Sequence, residues 1–373
     1  MISCRWCGAT CEIVLDLGEQ PAADHFPLPT DPLPDAAYPL RMALCRSCGL
    51  AQLAEDATVP DEPRGVEPAA SRAQAEDAVR RLVASGILVA GATVREFDSP
   101  HSGSWAKPLT RAGLLWRSTA LDVTEPSDVV VDVFGLMHEP DQMSAVRQRC
   151  AAVRPDGVLL IQFHSLSAIL RHGQWNALRH GHFAYHSLPA LVQMLADSGL
   201  RPIAGWQFDL YGGTVLLAAA RTAEGAVGGS VATLLNSERA SGVVDAAAVA
   251  KLADATATSA EALRRFLHDE QSAGRRVFGY GAASRAVALL AVAGADRDLL
   301  PAVADAAPAK QGRCLPGSRI PIIAPADLVA QRPDRVLVLV PDLVDEVRRA
   351  LPEVEASGGR WVVAEPTVSL VGP

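Results

Sequence analysis

The stretch VVVDVFGLMHEPDQMSAVRQRCAAVRPDGVLLIQF, residues 129–163, decides the fold. It begins with a continuous apolar run at 129–134, which is typical of a strand buried on both faces of a parallel sheet. A helical segment is predicted over 141–153, followed by a turn at 155–157 and a second buried strand at 158–163. Strand, helix and strand in this order predict a doubly wound α/β domain.

The same alternation extends in both directions from this stretch. A helix is predicted over 69–85, a strand begins near Val94, and a strand over 215–219 ends the first α/β region. The alternation starts again with a strand at 276–280 and a helix at 284–293. Further strands are predicted over 335–341 and 360–364.

These segments divide the chain into four predicted units. The predicted fold class is α/β, with two Rossmann-like parallel-sheet domains preceded by a small zinc-binding module. The module occupies 1–55, a shortened Rossmann-like domain 69–221, a helical connector 222–270 and a second Rossmann-like domain 271–373. Residues 55–68 are rich in proline and acidic side chains, which is typical of a linker.

Composition argues against several classes of function. The chain has 373 residues and a formal net charge of -8, and it lacks the basic run of a nucleic-acid-binding surface. Its apolar runs are far shorter than the roughly 18 residues of a membrane span. The N-terminus has no apolar core of a signal peptide. We therefore expect a cytoplasmic protein without a nucleic-acid or membrane partner.

Four of the seven cysteines form two closely spaced pairs, Cys4-x-x-Cys7 and Cys45-x-x-Cys48, and each pair is followed by glycine. Glycine lets the backbone fold back so that both thiolates of a pair aim at one point. Two such turns predict a tetrahedral, structural Zn²⁺ site without an open position for catalysis. The alternative is a redox CxxC, which requires a βαβ context at a helix N-terminus.

Short motifs in all three regions carry a resemblance to a known family. The module contains LG at 17–18, QP at 20–21 and YPL at 38–40, and the C-terminal region contains GYGA at 279–282 and KQGR at 310–313. The middle region adds HGHFAYHS at 180–187 and GGT at 212–214. In this order, the motifs resemble those of the nucleotide-sugar C-methyltransferases, which have an N-terminal zinc-binding domain and a C-terminal Rossmann-like domain.

This resemblance implies a reaction of antibiotic and other natural-product pathways. In the family, S-adenosylmethionine methylates carbon 3 of a 4-keto-deoxysugar linked to dTDP. That chemistry needs a base beside the ketone, a donor for the enolate oxygen and a glycine loop for the methyl donor. The implied catalytic residues are His182, His138 and Arg179. The implied substrate contacts are His180, Tyr185, Tyr211, Tyr280, Lys310 and Arg313, and the implied cofactor contacts are Glu96 and Gly103.

The chain departs from the family pattern at the methyl-donor loop and in the histidine segment. Asp98 stands where the loop should have its first glycine, and Pro100 stiffens the turn. Asp122 is a weak substitute for the acid that should hold the ribose. Arg179 and Gly181 replace the tyrosine and glutamate of the family's Tyr-His-Glu-His-x-x-Tyr segment. The use of adenosylmethionine is therefore doubtful.

Three functions remain open from the sequence. The preferred one is an enzyme that keeps proton abstraction next to the ketone without efficient use of adenosylmethionine, as an epimerase or isomerase would. The alternatives are an active sugar C-methyltransferase and a non-catalytic protein that binds a sugar nucleotide or a partner. Isolated histidines are more often satisfied polar residues than catalysts, and Gly279-x-Gly281 alone is only a partial nucleotide fingerprint.

Overall fold

The computed structural model of the chain describes residues 1–58, 65–99, 103–116, 125–221, 229–365 and 367–372. Three β-sheets follow one another along the described chain, and helices cover the second and third. The α/β fold class predicted from the sequence is confirmed, since both later sheets are built mainly from parallel strands.

The first sheet is antiparallel and belongs mostly to the cysteine-rich module. Its strand order is β1-β2-β3-β4-β9. The strands are β1 (Ile2–Ser3), β2 (Thr10–Pro21), β3 (Ala37–Cys45), β4 (Ala51–Leu53) and β9 (Ala184–Tyr185). Because β9 comes from the middle of the chain and pairs with β4, the sheet ties the histidine-rich segment to the module.

The second sheet has six strands in the order β10-β11-β8-β7-β5-β6. The strands are β5 (Thr93–Phe97), β6 (Leu115–Trp116), β7 (Ser127–Val133), β8 (Val153–His164), β10 (Arg201–Phe208) and β11 (Thr214–Ala220). Its helices are α1 (Ala69–Ala84), α2 (Ala106–Arg111), α3 (Gln142–Ala151), α4 (Leu166–His172) and α5 (Leu188–Asp197). Strand β11 runs antiparallel to both of its neighbours.

The strand order reverses between β5 and β7. From β5 the chain moves outward to β6 and then returns to the other side of β5 as β7. Open α/β sheets bind ligands at such a reversal, beyond the carboxyl ends of the strands.

The turn predicted at 155–157 is instead a bulge within β8. Ser127 pairs with Val153 and Val129 already pairs with Val158, so the chain protrudes between these two positions without ending the strand. A side chain at Gly157 would lie 2.7 Å from the Asp128 carbonyl oxygen. The proline and glycine thus serve a bulge at the sheet margin, a role that sequence patterns do not separate from a turn.

The third sheet has the order β14-β13-β12-β15-β16-β17 and is parallel except at its last strand. The strands are β12 (Val277–Tyr280), β13 (Val303–Ala304), β14 (Ile322–Ile323), β15 (Arg335–Val338), β16 (Arg360–Val363) and β17 (Ser369–Leu370). The helices are α6 (Gly229–Ala240), α7 (Ala246–Ala250) and α8 (Leu252–Ser272) before this sheet, and α9 (Ser284–Ala293), α10 (Pro325–Ala330), α11 (Val344–Ala350) and α12 (Glu353–Ala356) within the domain.

One apolar core connects the module, the middle region and the C-terminal domain. It includes Phe26 and Leu40 of the module, Trp175 of the middle region, and Leu289 and Leu337 of the C-terminal domain. These regions therefore pack as parts of one body. Among the described residues, no helix has the length and apolar character needed to cross a membrane.

Candidate functional site

The four cysteines predicted to bind metal converge on one point. The sulfur atoms of Cys4, Cys7, Cys45 and Cys48 all lie within 4.8 Å of one another. The Cys4–Cys48 and Cys7–Cys45 sulfur pairs are each 3.5 Å apart. A tetrahedral Zn²⁺ with four sulfur ligands at 2.3 Å requires sulfur separations of about 3.8 Å. The cluster thus fits one closed tetrahedral ion.

Both cysteine turns have the same backbone geometry. Gly8 and Gly49 each have φ +73°, and each donates its N–H to the carbonyl oxygen of the first cysteine of its pair at 3.0 Å. This left-handed conformation explains why glycine follows each pair. The repeated turn and the shared sulfur cluster favour a structural metal site over a redox pair, which would have two sulfurs at a helix N-terminus.

The module holds the histidine segment through main-chain and side-chain contacts. Leu53 of β4 donates its N–H to the carbonyl of Phe183 at 3.2 Å, beside the β4–β9 pairing. Asp56, just after β4, accepts the N–H of Gly181 at 2.7 Å. Gly181 has φ +78°, and a side chain there would lie 2.9 Å from the Asp24 carboxylate. Any residue with a side chain would be strained here, including the glutamate that the resemblance implies.

His138 and His182, both predicted catalytic residues, are adjacent. His138 ends a short 3-10 turn (Leu136–His138) that directly follows β7, at the carboxyl edge of the second sheet. The two imidazole rings meet edge to face, with centroids 4.5 Å apart. Nδ1 of His138 lies 3.0 Å from the carbonyl oxygen of Gly181. A carbonyl only accepts, so Nδ1 carries the proton and Nε2 of His138 carries the basic lone pair.

Arg179, the third predicted catalytic residue, contacts the same pair. Its Nε donates to Nε2 of His182 at 2.8 Å, which identifies that nitrogen as the acceptor. Another guanidinium nitrogen donates to the hydroxyl of Ser284, the first residue of α9. The structure therefore brings His138, His182 and Arg179 together, at the contact between the middle region and the C-terminal domain.

His180 and Tyr185 lie on the module side of this segment. His180 is buried, its Nε2 lies 3.3 Å from the carbonyl of Pro39, and burial lowers its pKa. The Tyr185 hydroxyl accepts the N–H of Arg179 at 3.0 Å, and burial raises the pKa of this phenol. Both side chains thus anchor the segment to its surroundings through main-chain partners.

A strained aromatic pair lies beyond the carboxyl end of β7. Phe134 and Tyr211 have φ values of +59° and +57°, and their rings meet edge to face at 5.7 Å. Left-handed conformations cost free energy for bulky residues and cluster at functional sites. The carbonyl of Tyr211 accepts from the Gln174 amide at 3.3 Å.

His164 is a further polar residue of this region, and it was not predicted from the sequence. Its Nε2 lies 3.2 Å from Oε1 of Gln174. Burial, followed by the nearby positive charge of Arg285, lowers its pKa to about 3, so the imidazole is neutral. The sequence signal was available, because His164 directly follows the predicted strand 158–163, where α/β sheets place functional side chains.

On the predicted methyl-donor side, Glu96 is bonded to its own chain. Its carboxylate accepts from the Ser104 hydroxyl at 2.5 Å and from the N–H of Trp105 at 2.7 Å, just before α2. The side chain is buried, which raises its pKa. Gly103 has φ +107° and begins the same turn. Pro100 and Asp122 lie outside the described residues.

The loops that follow β5 and β7 touch each other at the strand reversal. A side chain at Gly135 would lie 2.7 Å from the Asp98 carbonyl oxygen and 3.0 Å from Asp132. Below this contact, Asp132 and Arg149 form a fully buried ion pair at 2.5 Å. Asp132 also accepts the N–H of Leu136 at 3.0 Å and so anchors the turn that carries His138.

The substrate contacts that the resemblance implies in the C-terminal domain have partners within the chain. Tyr280 ends β12, and the next turn is fixed by Asp305, which accepts the N–H of Ala282 at 2.8 Å. Lys310 is buried and donates to the carbonyl of the same Ala282 at 2.9 Å. Arg313 donates to the carbonyl of Phe26 in the module at 2.9 Å. Both cations therefore fasten loops of the domain and the module.

Comparison with known proteins finds matches at both ends of the chain. Residues 4–61 match the family model described as "Putative zinc binding domain", and residues 209–366 match the "C-methyltransferase C-terminal domain". The C-methyltransferase NovU of Streptomyces niveus is 31% identical over 230 residues, which are 61% of this chain and 55% of that protein. The match thus spans little more than half the length of this relative.

Solved methyltransferase structures resemble part of the chain. Magnesium protoporphyrin IX methyltransferase from Synechocystis PCC 6803, with bound SAH, has a TM-score of 0.30 at 16% identity, over 41% of this chain and 84% of that one. The CcbJ methyltransferase from Streptomyces caelestis has a TM-score of 0.31 at 12% identity, over 42% of this chain and 98% of that one.

Fold and site together define a protein with two Rossmann-like domains and a four-cysteine metal-binding module. More particularly, its N-terminal part is similar to a putative zinc-binding domain and its C-terminal part to the C-terminal domain of C-methyltransferases, so the family resemblance inferred from the sequence is confirmed.

Proposed function

We propose that the protein is an enzyme that removes and returns the proton next to the ketone of a dTDP-linked 4-keto-deoxysugar in natural-product biosynthesis, without efficient use of adenosylmethionine. The match to NovU and the C-methyltransferase domain support a small-molecule substrate of this class. The observation that carries the proposal is the contact of two imidazoles and one guanidinium at His138, His182 and Arg179.

The arrangement suits proton transfer next to a carbonyl. An imidazole titrates near neutral pH, so it can take a proton from carbon and return it. His182 is the proposed base. Its Nε2 accepts from Arg179. When a ketone binds, the N–H of Arg179 would donate to the ketone oxygen instead of to Nε2 of His182. This change frees Nε2 to take the proton, and the guanidinium stabilises the negative charge of the enolate oxygen.

His138 supports the same reaction from the carboxyl end of β7. Its tautomer is fixed by Gly181, so its Nε2 is suited to accept or relay a proton next to His182. With no methyl group delivered, the enolate carbon takes back a proton. The product is then either the exchanged substrate or its epimer at that carbon.

The geometry of the donor side supports inefficient use of adenosylmethionine. Both oxygens of Glu96 are bonded to Ser104 and Trp105, and the backbone at Gly135 contacts Asp98 across the strand reversal. A methyl donor would have to displace these contacts. The family match favours the alternative, an active C-methyltransferase, and the test therefore includes the donor.

The proposal is tested with a dTDP-4-keto-6-deoxyhexose in D₂O, followed by NMR. We expect deuterium to enter next to the ketone with the wild-type enzyme and without adenosylmethionine. Uptake should be lost in His182→Ala and strongly reduced in Arg179→Gln. As a matched control, Arg265→Gln on the exposed surface of α8 should exchange at the wild-type rate.

Two outcomes would contradict this proposal. Methylated product formed on addition of adenosylmethionine, together with micromolar binding of that donor by calorimetry, would establish the methyltransferase alternative. No uptake with any 4-keto sugar nucleotide would favour a binding protein.

Zinc fits the four-cysteine cluster as a structural ion. Cys4, Cys7, Cys45 and Cys48 would hold it, and the ion would supply folding free energy to the module, because four thiolates leave no open coordination position.

A further inference from the structure

A second cavity lies behind the candidate site, between α4, the end of α6 and the junction of α7 with α8. Its volume is about 400 Å³, within the range of small-molecule sites. None of the residues predicted to act in catalysis or to bind substrate or cofactor lines it. The cavity is therefore a separate candidate for ligand binding.

Two cations line this cavity, and none of its lining residues in the described part of the chain is acidic. Arg171 projects from α4 and Lys251 from the junction of α7 and α8. Among the described residues, Lys251 forms no ion pair, and the guanidinium of Arg171 makes one side-chain hydrogen bond, from Nε to His172. Both side chains are exposed to solvent at the cavity mouth, so an anionic ligand could reach them, and two cations on one cavity favour such a ligand.

The buried acid Glu238 does not pair directly with these cations. The carbonyl of Glu238 accepts from Ser241 of the cavity wall, and its two carboxylate oxygens accept from the Ser165 hydroxyl at 2.6 Å and from the N–H of Leu188 at 2.5 Å. The positive charge of Arg171 acts on this carboxylate without forming an ion pair with it. The Glu238 carboxylate is thus bonded on the side of α5 and not to Arg171 or Lys251.

Two serine hydroxyls in the cavity lining can accept hydrogen bonds from a ligand. Ser241 donates its hydroxyl hydrogen to the carbonyl of Glu238 at 2.7 Å, so in its 2.8 Å contact with Ser167 the donor must be Ser167. Both hydroxyl hydrogens are thereby used, and the remaining lone pairs of the two oxygens are acceptors. Such a wall suits the hydroxyl groups of a ligand, while Leu170 and Leu252 supply apolar contact beside it.

We propose that this cavity binds a small phosphate ester that carries hydroxyl groups, of the size of a hexose phosphate. The phosphate lies between Arg171 and Lys251, and a ligand hydroxyl donates to Ser167 or Ser241. The cavity also contacts Gly173, which ends α4 in the left-handed conformation. The next residue is Gln174, whose amide contacts His164 and Tyr211, so the ligand would lie directly behind the candidate site.

Calorimetry of the full chain with glucose 1-phosphate, inorganic phosphate and glucose tests the proposal. Glucose 1-phosphate should bind at one site per chain, at least tenfold more tightly than inorganic phosphate, and glucose should not bind. Because charge-assisted hydrogen bonds are among the strongest single contacts, Arg171→Gln with Lys251→Gln should weaken binding of the ester at least tenfold. Ser167→Ala should weaken binding of the ester and leave that of inorganic phosphate unchanged.

Ala255→Phe tests the cavity without changing its charge. The new ring should fill the cavity and abolish binding, while Arg265→Gln, which removes a positive charge elsewhere on α8, should bind like the wild type. If the double variant of Arg171 and Lys251 and the Ala255→Phe variant both bound the ester as tightly as the wild type, the ester would bind elsewhere and the proposal would be overturned. Absence of binding by either phosphate, or equal affinity for both, would also overturn it. Proton exchange on the keto sugar is measured separately, so the two proposals fail independently.

Discussion

At the scale of single residues, the buried ion pair of Asp132 and Arg149 fixes the turn that carries His138. Asp132 bonds both Arg149 and the turn that carries His138, and Arg149 lies over the ring of Phe97 at 4.4 Å. Both charges are almost fully removed from water, so neither is tolerated without the other. The sequence showed only an aspartate within an apolar strand and an arginine on a helix, with no sign that they meet.

Removal of one partner of this pair should be strongly destabilising. We expect Asp132→Ala to lower the free energy of unfolding by about 3–5 kcal/mol, because it leaves the Arg149 charge buried without a counterion. Urea unfolding measures the loss. The matched control is Asp77→Ala, whose carboxylate pairs with Arg80 and Arg81 on the exposed surface of α1 and which should cost about 1 kcal/mol or less. Equal losses in the two variants would contradict the assignment.

Two neutral histidines with lowered pKa values should make the fold sensitive to acid. Burial lowers the pKa of His164 to about 3 and that of His186 to about 4, below the unfolded value near 6.5. The unfolded chain therefore binds more protons between these values, and stability falls as the pH drops below 6.5. From pH 6.5 to 4.5 the loss should be about 2–3 kcal/mol for each histidine.

The measurement is urea unfolding as a function of pH. His164→Gln should reduce the slope of stability against pH between 6.5 and 4.5, and His268→Gln, at an exposed position of α8, should leave it unchanged. A slope that is the same in His164→Gln and the wild type would show that this imidazole is protonated in the folded protein.

At the scale of elements, local patterns predicted the regular parts of the fold well. The structure has α9 at Ser284–Ala293, as predicted, and β7 and β8 contain the apolar runs that define the second sheet. Strand β9 was not predicted, since two residues carry no periodicity and its partner β4 lies far away in the chain. The histidine segment itself could be located by motif, but its attachment to Asp56 depends on this long-range pairing.

Loss of the metal should destabilise both β4 and β9, because these strands pair with each other. We expect one Zn²⁺ per chain, and we expect Cys45→Ser to lose the ion and to make the module sensitive to limited proteolysis. Because β4 pairs with β9, amide hydrogens of β9 should also exchange faster in this variant. Elemental analysis and hydrogen exchange give the two readouts.

Cys314→Ser is the matched control for the metal site. Cys314 is buried in the C-terminal domain, outside the sulfur cluster, so this variant should keep its zinc and its exchange pattern. Freshly purified wild-type protein without zinc would contradict the site.

At the scale of the whole molecule, the two ends of the chain are fastened to each other. Asp35 of the module accepts the N–H of Gly317 at 2.7 Å and pairs with Arg319 at 2.7 Å. Cys314 donates its N–H to the carbonyl of Pro27 at 2.8 Å. Lys310 and Arg313, which the sequence suggested as substrate contacts, also hold loops together here. The sequence did not indicate this, because a contact between distant loops leaves no local sequence pattern.

This attachment predicts cooperative unfolding of the module with the C-terminal domain. Scanning calorimetry and tryptophan fluorescence should report one coincident transition for Trp6 of the module and Trp361 of the C-terminal domain, observed in separate single-tryptophan variants.

Asp35→Ala should lower the free energy of unfolding by about 1–3 kcal/mol, because the N–H of Gly317 and the guanidinium of Arg319 lose a charged acceptor that is largely buried. Glu12→Ala, which removes an exposed carboxylate paired with Arg46 on the same module, should change stability by less than about 1 kcal/mol. Two separate transitions in the wild-type protein would show that the module folds on its own, and the contacts of Asp35 would then join two independent units.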